Sequence, residues 1–281
     1  LRMNIEVVDS QGKPLNLADY SIKYKPSERQ ITVILVAGTA MNSGKTFTAA
    51  SLIRGLKSAG HKVAGIKGTG TGSGGDLWQM KDMGADLLLD FTDAGFASTY
   101  KVPDDDIERG VISLINYAAN RGCGYAVLEI ADGLQHLETA KLLSSPALLK
   151  IISGCVFAAY DSLGAIAGYK RMTEMGYHIL AMSGQFTRSP LAIRESHSTN
   201  CPIYTPFEIQ SGALVEAITG AAPTITVSST HSAKLGVLNT RLVAEAKEVG
   251  PKPDNSQRLR YAKRGDAHSL EFPDEELEYS V

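Results

Sequence analysis

The sequence predicts a three-layer α/β/α protein built on a mainly parallel sheet. From residue 31 onward, short apolar runs alternate with helix-length segments, the pattern of strands covered by helices. The runs lack polar alternation, as strands buried on both faces do. The composition, with 27 glycines, 7% aromatic and 43% hydrophobic residues in a chain of 281, suits a large core with many tight turns.

Residues 1–30 read as a short β element, with alternation at Ile5-Glu6-Val7-Val8 and a turn at Asp9-Ser10-Gln11-Gly12, followed by a linker rich in Lys, Pro and Ser. The chain opens on Leu1, and this piece is expected to be the remnant of an upstream domain. Strands are expected at about 31–38, 62–68, 125–131, 154–160 and 177–183. Helices are expected at about 44–59, 104–120, 138–153, 164–175, 189–196 and 209–219. Gly60, Gly122 and Gly176 stand where helices should stop. Asp104, Asp105 and Asp106 open a helix, where carboxylates favour the positive end of the dipole. Segment 203–208 reads as an edge strand, a setting that tolerates Pro206. Residues 31–220 therefore form one domain. Beyond it, 222–230 reads as a strand, 238–249 as a helix, and the rest of 221–281 as a polar, partly flexible C-terminal extension or an arm that packs on another subunit.

Several function classes recede at this stage. A net charge of −2 gives no reason to expect nucleic acid or an anionic membrane as partner. No apolar run reaches the 18 residues of a membrane span, and the N-terminus lacks the pattern of a signal peptide. The three cysteines, Cys123, Cys155 and Cys201, are an odd and sparse set, which argues for reduced thiols and a cytoplasmic setting. Their spacing suits no metal, and the six histidines are scattered.

The informative stretch is ITVILVAGTAMNSGKT at 31–46. An apolar run enters a loop of small residues that ends in Gly44-Lys45-Thr46, and a helix follows at once. This is a phosphate loop, or P-loop: backbone N–H groups converge on phosphate oxygens, the helix aims its positive end there, Lys45 adds a full charge, and Thr46 offers a hydroxyl to magnesium. Five residues separate Gly38 from Gly44, one more than the usual spacing, and Thr39 fills the position of the first glycine. Gly38, Thr39, Asn42, Ser43, Gly44, Lys45 and Thr46 are the candidate phosphate contacts of a bound ATP. The alternative is a cap of small residues beside a solvated lysine.

Ligands gather at the carboxyl ends of strands in an open α/β sheet, so the residues that follow each strand are the next candidates. Lys67 ends the second strand and enters the loop Gly68 to Asp76, rich enough in glycine to approach a ligand closely. Lys67 is a candidate for neutralising charge on a transferred phosphoryl group, and Asp76 for holding magnesium. Glu129 lies near the end of the strand at 125–131 among apolar neighbours, so it needs a metal or a lysine as partner. Thr71, Asp132 and His136 are the candidate substrate contacts, with His136 a base, a substrate ligand or a structural residue, and Asp132 equally suited to an Asp-Gly turn. Thr92 and Asp93 are placed in a substrate pocket, Gln185 at an adenine edge, and Arg188 against base or phosphate.

GTAMNSGKT resembles the phosphate loop of dethiobiotin synthetase, with its five-residue gap, Gly-Thr opening and Gly-Lys-Thr end. VAGIKGTGTGSGGD is similar to the next strand and glycine-serine loop of that family, AVLEIADG to its strand carrying a magnesium-binding Glu, and VFAAYDSLGAIAGYKRMTEMGYHILAMSG to its strand–turn–helix–strand unit. The similarity covers roughly residues 31–220. It implies that Lys45 and Lys67 bind phosphate and the reacting group, and that Thr46, Asp76 and Glu129 hold Mg2+. The family has acids where Ala40 and Asn42 stand, and an Asn where this chain has Ser183-Gly184-Gln185. The chain also resembles a group in which a dethiobiotin-synthetase-like domain follows a Rossmann-like one, some of whose members are associated with N-acylation of D-glutamate. The expectation is a dimeric enzyme that uses ATP and Mg2+ to activate a small carboxylated metabolite. The alternatives are a CoA-dependent N-acyltransferase, whose P-loop cradles the CoA phosphates, and a nucleotide-dependent switch or chaperone.

Overall fold

The computed structural model describes residues 8–72 and 74–220. Their frame is a six-stranded, all-parallel sheet in the order β3-β2-β4-β1-β5-β6, formed by β1 (Thr32–Gly38), β2 (Val63–Lys67), β3 (Leu87–Asp90), β4 (Tyr125–Glu129), β5 (Gly154–Ala158) and β6 (Ile179–Ser183). Strand β1 lies inside, between β4 and β5, and every one of its residues is buried. Its side chains divide by parity. Val33, Leu35 and Ala37 enter one core and Ile34 and Val36 the other, which is why the run shows no polar alternation.

One face is covered by α1 (Lys45–Ser58), α2 (Gly75–Asp82), α8 (Pro206–Gln210) and α9 (Val215–Thr219), through Leu52, Ile53, Leu56, Met80, Ile209 and Ile218. The opposite face carries α3 (Asp104–Asn120), α4 (Leu137–Leu143), α5 (Pro146–Ile151) and α6 (Ser162–Glu174), with Ile107, Leu114, Leu142, Leu148 and Met172 pointing inward. Helix α7 (Pro190–Ser196) packs beside α6. This is a three-layer α/β/α fold. Each fully buried Leu, Ile or Phe contributes about 1.5–3 kcal/mol, so two continuous cores anchor the sheet from both sides.

Several local expectations are corrected. The single helix at 138–153 is two, because Ser145 caps a new helix through the N–H groups of Ala147 and Leu148, with Pro146 in the first helical position. The edge strand at 203–208 is instead the entrance to α8. Thr205 and Glu208 form a reciprocal capping box there, and Ile203 makes only an isolated bridge to Met182. The helix at 209–219 is broken between α8 and α9, where Gly212 has a φ of 102°. Helix α2 starts at Gly75, inside the end of the expected glycine loop, and it and strand β3 fill a stretch where no element was expected. At the N-terminus, the turn over Asp9–Gly12 is present, and Val8 bridges Pro14. The strand at 222–230, the helix at 238–249 and the polar tail lie outside the described residues.

No described helix is long and apolar enough to cross a membrane. All three cysteines are free and buried. Burial pushes their thiols up, Cys201 to about 11, so the nucleophilic thiolate is scarce at neutral pH. The native protein should react slowly with Ellman's reagent at pH 8 and reveal all three thiols on denaturation. A fast-reacting thiol in the native protein would contradict this packing.

Candidate functional site

The site begins where β1 ends. A Cβ on Gly38 would stand 2.5 Å from Ser43 Oγ, 2.6 Å from the Ala158 carbonyl and 2.8 Å from Lys45 Cγ, so a larger residue displaces the loop. Gly44 has a φ of 94° and is the N-cap of α1. It brings no side chain to that end, so the first-turn N–H groups have no side-chain cap and are free for an anion. Lys45 folds back to donate to the Ala40 carbonyl at 2.8 Å. The N–H of Gln185 donates to the Ser43 carbonyl at 3.0 Å and ties the loop after β6 to the phosphate loop.

Sheet register supplies the second half of the site. Lys67, the last residue of β2, lies opposite Glu129, the last residue of β4, and Glu129 lies opposite Val36 of β1. Lys67 forms an ion pair with Asp76 Oδ2 and stands 3.7 Å from Glu129 Oε1. Asp76 is in the first turn of α2. Thr46 Oγ1 stands 3.1 Å from Asp76 Oδ1 and 2.9 Å from Glu129 Oε1. A hydroxyl has one proton to donate, so Thr46 satisfies only one of these carboxylates at a time. Glu129 is 1% exposed, and its Oε2 is buried without a hydrogen-bond partner.

Lys45, Thr46, Lys67, Asp76 and Glu129 all line one cavity of about 590 Å³. Asn42, Gly44, Thr71, Asp132 and Gln185 complete its candidate walls. Thr39 and Ser43 are not on that wall. The Thr39 hydroxyl accepts from the Tyr160 N–H, and Ser43 Oγ is buried beneath the loop. His136 lines a smaller neighbouring pocket of about 150 Å³, which shares Thr71 and Asp132 with the main cavity. Its Nδ1 is 3.2 Å from Glu138 Oε2, beside the start of α4.

Two further expectations fail. Thr92 and Asp93 line neither cavity: they bond to Asp90 and close the turn after β3. Arg188 is also absent from the walls and donates to Gln185 Oε1 at 3.4 Å. Sequence reasoning missed Met41, Phe47 and Gln79, which do line the main cavity. Gln79 follows Asp76 by one helical turn, a signal visible only once α2 is known to be a helix.

Magnesium takes hard oxygen ligands, commonly one or two carboxylates completed by phosphate and water. Thr46, Asp76 and Glu129 fit that set, and the unbonded Glu129 Oε2 is an orphan that a cation would satisfy. Among the described residues, no three His, Cys, Asp or Glu side chains form a metal cage by themselves.

No family model matches the chain, and no curated protein matches it. Among solved structures it is similar to the signal recognition particle receptor FtsY from Elizabethkingia anophelis, at 14% identity over 69% of this chain and 67% of that one, with a TM-score of 0.44. It is also similar to signal recognition particle 54 kDa protein from Aeropyrum pernix K1 in complex with GDP (19% identity, 81% and 52% coverage, TM-score 0.45). A third is cell division protein FtsY from Thermotoga maritima (14%, 72% and 73%, TM-score 0.45). At these scores the likeness adds nothing to what the geometry itself shows.

Burial holds Lys45 below the ordinary lysine range, opposed by Glu129 and Asp132 and aided by Lys67. Its folded-state pKa therefore lies below the unfolded one. Between the two values the unfolded chain binds more protons, so stability rises with pH in that alkaline window. In urea denaturation at stepped pH, wild type should gain on Lys45→Met as pH rises toward the ordinary lysine value. A flat or falling difference would contradict the burial of this ammonium.

Proposed function

We propose that the chain is a Mg2+- and ATP-binding P-loop enzyme of the dethiobiotin synthetase type, activating a small carboxylated metabolite. What supports this reading is the convergence of Lys45, Thr46, Lys67, Asp76 and Glu129 on one cavity at the carboxyl end of β1. A structural salt-bridge cluster needs no cavity beside it, and none of its members needs to start a helix whose first N–H groups lack a side-chain cap.

In this reading the phosphate loop and the start of α1 hold the nucleotide's phosphates, with Lys45 as counter-charge. The γ-phosphoryl group passes to a carboxylate or carbamate oxygen of the substrate and leaves ADP. Lys67 neutralises the charge that develops on the transferred group, and the fixed N–H groups cost no reorganisation when it does. Thr46, Asp76 and Glu129 would hold magnesium, which supplies positive charge to the outer phosphate oxygens. The substrate would occupy the smaller pocket, with Thr71 and Asp132 on the wall that it shares with the nucleotide cavity and His136 at its far side. Gln185 lies on the cavity wall, where its amide can meet the base. The enzyme works without nucleic acid or membrane, in the cytoplasm and as a homodimer.

Melting curves test the assignment. ATP with Mg2+ should raise the melting temperature of wild type and leave Lys45→Ala, still folded, unshifted. An equal rise in both proteins rejects Lys45 as the phosphate counter-charge. Saturable stabilisation by acetyl-CoA with no response to ATP would instead favour acyl transfer from a CoA thioester.

A further inference from the structure

The ligands assigned to magnesium are already occupied by a side chain of the protein. Lys67 is paired with Asp76 Oδ2 and reaches Glu129 Oε1 at 3.7 Å, while the Thr46 hydroxyl stands within hydrogen-bond reach of the other Asp76 oxygen and of the same oxygen of Glu129, donating to one of them at a time. We propose that Lys67 is a built-in stand-in for the metal: its ammonium neutralises Asp76 and Glu129 in the nucleotide-free protein and is released toward the polyphosphate when metal and nucleotide bind together. This rests on the reading that Thr46, Asp76 and Glu129 hold magnesium.

The need for a stand-in follows from burial. Glu129 is 1% exposed at the end of an interior strand, and an isolated carboxylate there would be strongly disfavoured. Lys67 is itself only 7% exposed and fixed opposite Glu129 by register, so the two charges desolvate each other's surroundings and compensate each other. A divalent cation beside the same oxygens would repel that ammonium. Lys67 must then leave or the cation must stay out.

The means to leave are also present. Lysine carries its charge on a flexible four-carbon stem. That stem runs past Gly70, where a Cβ would stand 3.1 Å from Lys67 Cε, and Lys67 lines the same cavity as Lys45 and the phosphate loop. An incoming polyphosphate offers the ammonium a new set of anionic oxygens. Metal and nucleotide then favour each other's binding, and by linkage each does so by the same factor.

The probe is Mn2+, followed by its electron paramagnetic resonance signal in titrations of the whole chain, with and without a non-hydrolysable ATP analogue. Without nucleotide, Lys67→Met should bind Mn2+ about tenfold more tightly than wild type, within the usual range of coupling between sites. Lys67→Arg, which keeps the cation, should behave as wild type does. The analogue should tighten Mn2+ binding more in wild type than in Lys67→Met. Equal affinity of wild type and Lys67→Met without nucleotide, in proteins that bind Mn2+ when the analogue is present, overturns the stand-in while leaving the metal site intact. No Mn2+ binding by wild type even with the analogue overturns the metal reading and this proposal together. Lys67→Gln serves the same comparison if the methionine variant does not fold.

Discussion

The constraint on which the site depends is the carboxylate of Glu129. It ends an interior strand, is almost fully buried, and has one oxygen without a hydrogen bond. An ionised group in that position has to be compensated by something fixed. Two compensating groups arrive by different routes. Lys67 comes through sheet register, and Thr46 through the handover from β1 to α1. A slip of one residue in β2 would turn Lys67 to the other face of the sheet and strand the carboxylate. The chemistry of the site and the pairing of the central strands are therefore a single requirement.

The two lysines, alike in sequence, are held differently. Lys45 is tethered to the carbonyl of Ala40 within its own loop, and burial depresses its pKa. Burial makes its charge costly to the fold. Lys67 is neutralised in advance by Asp76 and Glu129. An anion entering the cavity thus meets one cation that is short of partners and a second whose partners must first be replaced. In the proposed reaction this asymmetry would separate holding the phosphate chain, at Lys45, from neutralising the transferred group, at Lys67.

How much of this was legible in the sequence depended on length and on capping chemistry. The β1–loop–α1 unit was readable because an apolar run meets a loop ending in Gly44-Lys45-Thr46, and Lys67 and Glu129 stood out because each is a lone charge at or near the end of an apolar run, although the second run continues through Ile130-Ala131 and β4 stops at Glu129. Strand β3 is only Leu87–Asp90, too short to distinguish from a loop, and α2 starts at Gly75 in a stretch whose glycines argue against any helix. Asp76 was therefore assigned to a loop, and Gln79, one turn later, was overlooked. Ser145-Pro146 and Thr205-Pro206 were present as cap signals, but the first lies inside a segment that reads as one helix and the second in one that reads as an edge strand, which tolerates Pro206. Thr92 and Asp93 were misplaced for a related reason: without β3, nothing showed that they merely turn the chain after Asp90.

Charge balance accounts for why such a site should prefer a metal complex to a bare anion. Two ammonium groups, from Lys45 and Lys67, face three carboxylates, from Asp76, Glu129 and Asp132, on one cavity wall, which leaves an excess of one negative charge. A free polyphosphate would enter against that excess, helped only by the uncapped N–H groups at the start of α1. A divalent cation reverses the balance, and it is most needed at Glu129, where the unbonded oxygen lies. Binding of the anion and satisfaction of the buried acid then become one event. The carboxylate that sets the cavity's charge balance is thus the same one that sheet register pairs with Lys67.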